Sequence, residues 1–138
     1  MTFAMSVAAL SVLSLIIGFI VHALLLGPEY AQLTNLFRSE AESQRYFVFL
    51  LAHHVLIALG MTWIYRQGRE AKPWLAQGVR FGVAVSVLAV IPMYLIYFVV
   101  QPMPAGLVAK QIVFGTIGTI VMGIAAAWIN KRDVAVPA

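Results

Sequence analysis

Four long runs of apolar residues, separated by short connections built from Gly, Pro and polar residues, organise this chain from Phe3 to Ile129. They cover about Phe3–Leu26, Tyr46–Tyr65, Val79–Val100 and Leu107–Ile129, and no Asp or Glu falls inside any of them. A bilayer core of roughly 30 Å takes about 20 apolar residues as a helix. Unpaired backbone groups are costly in lipid, and continuous runs do not alternate as barrel strands would, so each run predicts a membrane-spanning helix. The expected fold is all-α, an integral-membrane four-helix bundle forming one domain over residues 1–138, with no length left for a soluble domain.

The breaks are turn chemistry: Gly27-Pro28, Gly68 to Pro73, and Gln101 to Gly106. The last is so short that the third and fourth helices must form an antiparallel hairpin. The link from Pro28 to Arg45 is longer, and Tyr30, Leu33, Leu36 and Phe37 recur in it at helical spacing against Gln32, Asn35 and Arg38. That pattern predicts a short helix lying in the membrane interface. The first run lacks both a basic leader and an Ala-x-Ala site before a polar start, so it is expected to be a retained helix, not a cleaved signal peptide.

Basic residues set the expected orientation. Arg66, Arg69, Lys72 and Arg80 gather around the second connection, and Lys131 and Arg132 follow the last run, whereas the opposite side has Arg38, Arg45 and Lys110. The positive-inside bias then predicts that both termini are cytoplasmic. Trp63, Trp74 and Trp128 fall toward that boundary and Tyr30, Tyr46 and Tyr97 toward the other, as interfacial anchors do.

Composition agrees with this reading and narrows the chemistry. Hydrophobic residues make up 62% and charged residues 10% of the chain, against about 45–50% and about 25% in soluble domains; the mean hydropathy is +0.94. The formal net charge of +4 is scattered over helix ends and is explained by topology, so nucleic acid is not an expected partner. Contact of Arg66, Arg69, Lys72 and Arg80 with anionic lipid headgroups is. The absence of cysteine removes disulfides, thiolate metal sites and thiol catalysis.

Small residues mark packing faces. Gly115, Thr119, Gly123 and Ala127 follow one another at four-residue steps in the fourth run, a ladder that lets another helix approach closely, either from the same bundle or from a partner subunit. Ser11, Ser14, Gly18 and His22 share a face of the first helix, within about 80° at 100° per residue. Gly82, Ser86, Ala89 and Met93 do the same in the third, followed by Pro92, whose missing amide hydrogen leaves the Leu88 carbonyl without its usual partner and predicts a kink.

Three histidines are the one polar constellation. His22 lies near the end of the first helix and His53 and His54 near the start of the second, so antiparallel helices bring all three to similar depth. Neutral imidazole ligates haem iron, copper or zinc, and ionisable groups inside a membrane are functional candidates. One haem b could be held between His22 and either His53 or His54, which point about 100° apart and cannot both face it. The structural reading, histidines bonded between helices or to interfacial water, stands beside this one. Lys110, next to Gln111, is expected to reach the headgroups or to meet Glu29. Ser11, Ser14 and Ser86 sit deep in apolar runs, where a hydroxyl bonds back to the preceding turn or across to a neighbour. No nucleophile elbow, phosphate loop or dinucleotide fingerprint is present, and no buried carboxylate that proton-coupled transport usually recruits.

His22-Ala-Leu-Leu-Leu-Gly-Pro-Glu-Tyr30, Leu36-Phe-Arg38, Trp63-Ile-Tyr65, Gln77-Gly-Val-Arg80-Phe-Gly82 and the Pro92-x-Tyr94 of the third helix resemble small four-helix bacterial inner-membrane proteins of uncharacterised function, over most of the chain. The resemblance implies a bacterial inner-membrane location and the helix count; it supplies no activity or ligand. Two main functional expectations follow. One is a non-enzymatic accessory or structural subunit that binds lipid and a membrane protein partner, without a cofactor. The other is a haem- or metal-binding protein using His22 with His53 or His54. An oligomeric small-solute channel or carrier is a weaker third.

Overall fold

The computed structural model describes residues 1–131; Arg132, which belongs to the basic tail, lies outside the described residues. The chain is all-helical across them, and four helices are long and apolar enough to cross a membrane: Phe3–Leu25, Trp74–Val100 and Ala105–Asn130 with Phe47–Gly68 as the second. They define a multi-pass membrane protein. Two ends can be distinguished. Met1, Arg66, Arg69 and Asn130 lie together at one end, the terminal end, and residues 26–46 with Gln101 at the other, the link end.

Helix bounds depart from the hydrophobic runs where a polar residue can sit at the membrane edge. The second span continues through Arg66 and Gln67 to Gly68, and the third begins five residues before Val79, at Trp74, with Pro73 as its cap. Proline suits a helix start because the first amides have no intrahelical acceptor anyway. Gln77 then closes the connection: its side-chain oxygen accepts from the Glu70 amide at 2.9 Å, and its Nε2 donates to the Glu70 and Lys72 carbonyls at 3.0 and 2.9 Å. Lys72 pairs with Glu70 on the surface.

The third and fourth spans make the most extensive contact, and glycine makes it possible. A Cβ on Gly78 would lie 2.8 Å from the Ile124 Cα and 2.9 Å from the Gly123 carbonyl oxygen; one on Gly82 would lie 2.9 Å from the Ile120 amide nitrogen. Gly123 answers from the other side, where a Cβ would come within 2.7 Å of the Gly82 nitrogen. With backbones this close, van der Waals contact replaces the hydrophobic effect that lipid does not supply between helices. The Gly115, Thr119, Gly123 and Ala127 ladder is therefore filled from within the chain. Gly115 meets Val90, Gly123 meets Gly78 and Gly82, and Ala127 is fully buried. Of the two occupants considered for this face, the third span of the same chain is the one packed against it.

The fourth span also touches the first and second, and the first packs along the second. Leu10, Ala58, Met61, Tyr65, Met122 and Ala126 fill the interior toward the terminal end. A separate cluster, Val21, Leu26, Met103, Leu107 and Val108, fills it toward the link end, and no residue of the second span takes part in it.

Regular α geometry fails twice. The first span turns to π-helix over Phe19–Leu25, with the Leu26 amide donating to the Val21 carbonyl at 2.9 Å. The third does so over Ser86–Val90, where the Ile91 amide bonds to the Ser86 carbonyl. The irregularity expected from Pro92 is thus taken up one turn earlier, by widening the helix. The link differs more. In place of one interfacial helix it forms a single turn, Gly27–Tyr30, a run of tight turns, and the short helix Glu40–Gln44, capped by Ser39 and Glu42. Local capping and turn chemistry at Thr34, Asn35 and Ser39 interrupts the helical spacing. Tyr30, Leu33, Leu36 and Phe37 nevertheless fold back as a group onto the link-end cluster.

Candidate functional site

Polar side chains collect in three places, and His22 and His54 hydrogen-bond to different partners. His54 is buried, and its Nδ1 is 2.8 Å from the Ser14 hydroxyl on the first span. Its ring occupies the space left by Gly18, where a Cβ would lie 2.9 Å from Cε1. The small-residue face of the first helix is thus a seat for this imidazole, an interhelical bond worth about 1 kcal/mol in lipid. His53 lies with its ring centre 5.0 Å from that of His54, but on the outer surface. His22 turns to the link instead, with Nδ1 2.8 Å from the Tyr30 hydroxyl and the two rings stacked at 6.0 Å.

His22 and His54 are therefore each committed through Nδ1 to a different partner. Both rings keep Nε2 free of these bonds, and among the described residues no group of three or more His, Asp or Glu side chains converges as metal ligands. The serines behave as hydroxyls in apolar helices do. Ser11 donates back to the Val7 carbonyl at 2.8 Å, and Ser86 shares a 2.7 Å bond with Thr116 of the fourth span.

At the terminal end Asn130 is a hub that sequence reasoning missed. Its side-chain oxygen accepts from Arg66 Nε at 2.7 Å and from the Ser6 hydroxyl at 3.0 Å, its amide donates to the Ala126 carbonyl at 2.9 Å, and its backbone oxygen accepts from Arg69 at 2.7 Å. Arg66 also donates to the Met1 carbonyl at 2.8 Å. Of the four basic residues expected at lipid headgroups, Arg66 and Arg69 make internal bonds, Lys72 pairs with Glu70 on the surface, and Arg80 is exposed. The readable signal was a lone amide at the end of an apolar run, opposite two arginines.

The third place is a cavity of about 350 Å³ at the link end. His22, Tyr30 and Gln111 form one wall, and Phe37, Tyr94 and Tyr97 an aromatic one. Gln111 is 4% exposed, and its Nε2 donates to the Tyr30 hydroxyl at 3.2 Å while Oε1 is buried with no partner among the described residues. Burial and the neighbouring Glu29 carboxylate push the Tyr30 phenol above its ordinary value, with the Gln111 bond opposing them, so it stays protonated at neutral pH. Beside this cavity Lys110 bonds to Glu29 at 2.7 Å, the second of the two roles expected for it. Half-exposed, that pair contributes little to stability.

A larger open groove of about 880 Å³ separates the link from the start of the second span, between Leu36, Phe37 and Arg38 on one side and Tyr46, Phe49 and Leu50 on the other. Every residue of the second span from Phe47 to His53 is exposed, on all sides of the helix. Comparison of the chain with protein-family models, curated proteins and solved structures finds no match. The chemistry of these three places therefore has to be read from their geometry.

Proposed function

We propose that this chain is a non-enzymatic accessory subunit of a bacterial inner membrane, a four-helix bundle with both termini cytoplasmic that holds lipid and a second membrane protein. The observation that supports the reading is the link-end half of the second span. An ordinary lipid-facing helix still buries one stripe against its own chain. Here two turns bury none, a groove of about 880 Å³ keeps them apart from the link, and His53 stands on their surface. Counted from Phe47 at 1.5 Å per residue, His53 lies about 9 Å along the helix. An imidazole facing outward there costs free energy unless a polar partner meets it. The partner is thus a transmembrane segment that lies along Phe47–His53 and offers His53 a hydrogen bond.

A photoreactive phenylalanine analogue at position 53, in native membranes, is expected to give one crosslinked product of defined mass, competed away by excess unmodified chain. The same probe at Leu88, which is 78% exposed on the third span, is expected to give lipid adducts alone. Lipid adducts at both positions would remove the partner from this face.

The orientation has its own test, since the chain contains no cysteine. Thr34→Cys is expected to react with a membrane-impermeant maleimide in intact spheroplasts, and Lys131→Cys after lysis alone. The reverse pattern would invert the topology.

A further inference from the structure

The link-end cavity has chemistry that the accessory reading does not use, and we infer that it is a binding site for the uncharged, oxygen-bearing ring of a quinol-type lipid. Three observations carry this. The first is the buried amide. Gln111 lines the cavity and gives its Nε2 to Tyr30, leaving Oε1 without a donor. A buried acceptor left unmade is costly, and each such orphan in a folded chain calls for a partner. Rotation about the last side-chain bond of a glutamine is soft, so a small turn presents this oxygen to a hydroxyl in the cavity.

The second is the direction of the hydrogen bonds. The Tyr30 hydroxyl accepts from Gln111, which frees its own hydrogen for His22 Nδ1 at 2.8 Å. The imidazole then carries its proton on Nε2 and keeps one donor to give. With that turn of Gln111 the wall offers an acceptor there and a donor at His22, the pair that a ring bearing a hydroxyl at one end and an oxygen acceptor at the other would satisfy.

The third is the surroundings. No Lys, Arg, Asp or Glu lines the cavity, which argues against a charged ligand, since an unpaired charge buried there would be disfavoured. Phe37, Tyr94 and Tyr97 supply flat aromatic surface beside the polar wall, suited to stacking on a planar ring. At about 350 Å³ the space is at the lower end of small-molecule sites, enough for a headgroup but not for a whole lipid. Leu95, Ile96 and Phe98 on the neighbouring turns of the third span are exposed, an apolar surface along which an isoprenoid tail can lie. The rival occupant is water, which would satisfy the Gln111 oxygen after the same turn of the side chain.

The experiment is calorimetric titration of the purified chain in detergent with a short-chain benzoquinol. Saturable binding at one molecule per chain is expected. Gln111→Met, which keeps the side chain's length but removes the amide, is expected to weaken it about tenfold, and His22→Leu similarly, as loss of one good hydrogen bond does. Leu88→Ala, on the lipid-facing surface, is expected to bind as the unmodified chain does. Far-ultraviolet circular dichroism checks that each variant is folded, and Tyr97→Leu at the cavity mouth gives a third reading should one polar variant fail. Absence of saturable binding, or equal affinity in all folded variants, would overturn the proposal and leave a cavity that holds water only. The accessory reading stands or falls separately, because its residues are on the second span and these are not.

Discussion

Gly82→Leu is expected to separate the third and fourth spans and cost about 3 kcal/mol or more of stability. A Cβ at this position already falls 2.9 Å from the Ile120 nitrogen, and the obstacle is backbone, which cannot rotate aside as a side chain can. Overpacking in a well-filled core typically costs about 1–3 kcal/mol, and here two helices must move apart along a shared face that also holds Gly78 and Gly123. Unfolding by increasing sodium dodecyl sulfate in mixed micelles, followed by circular dichroism, measures the loss. Gly60→Ala is the control, because nothing lies within 4 Å of a Cβ there. It is expected to be neutral or to stabilise by up to about 1 kcal/mol through helix propensity. Equal effects at the two glycines would show that close approach is not what holds the hairpin together.

Asn130→Leu is expected to cost about 2–3 kcal/mol, although leucine is nearly the same size and more at home in lipid. The substitution removes the acceptor of Arg66 Nε, leaving a charged donor unpaired, and breaks the bond from the Ser6 hydroxyl, which keeps only the Thr2 carbonyl. The Arg69 bond goes to the Asn130 backbone oxygen and survives. In a double-mutant cycle with Arg66→Leu the coupling is expected at about 1–2 kcal/mol, since the two residues share one bond. Strict additivity would mean that the terminal end is held by packing and that the hub adds no stability. Arg66 is only partly buried, so water softens the loss, and the expected figure stays below that for a fully buried ion pair.

The four spans were legible because the bilayer imposes one demand, an unbroken apolar length, that few other residue patterns satisfy. Helix packing was half legible. Spacing alone identified the Gly115 to Ala127 ladder, but any helix can fill such a face, and only the matching Gly78 and Gly82 on the third span decide which one does. The histidines could be read only as alternatives, because a ring's partner depends on which residue stands opposite. Ser14 and Gly18 were visible as a small face without showing that His54 would occupy it. Tyr30 and Gln111 lie 81 positions apart, and no local pattern joins them. The link misled for a further reason: its apolar spacing is helical, yet Ser39 and Glu42 form a capping box that starts a new helix late, and the turn residues before it win. Asn130 was passed over as the polar end of an apolar run.

That asparagine also sets a timetable. It is the last residue of the last span, and it bonds Ser6, which lies in the first turn of the first, 124 positions earlier. During synthesis the early spans enter the membrane with Ser6 bonded to the Thr2 carbonyl and Arg66 able to reach the Met1 carbonyl, while the acceptor for Arg66 Nε and the tie between the first and last spans arrive with Asn130. Closure of the molecule therefore waits for its final helical turn to be inserted. A chain stalled or clipped short of that turn would lack the one polar tie that joins its first span to its last at this end.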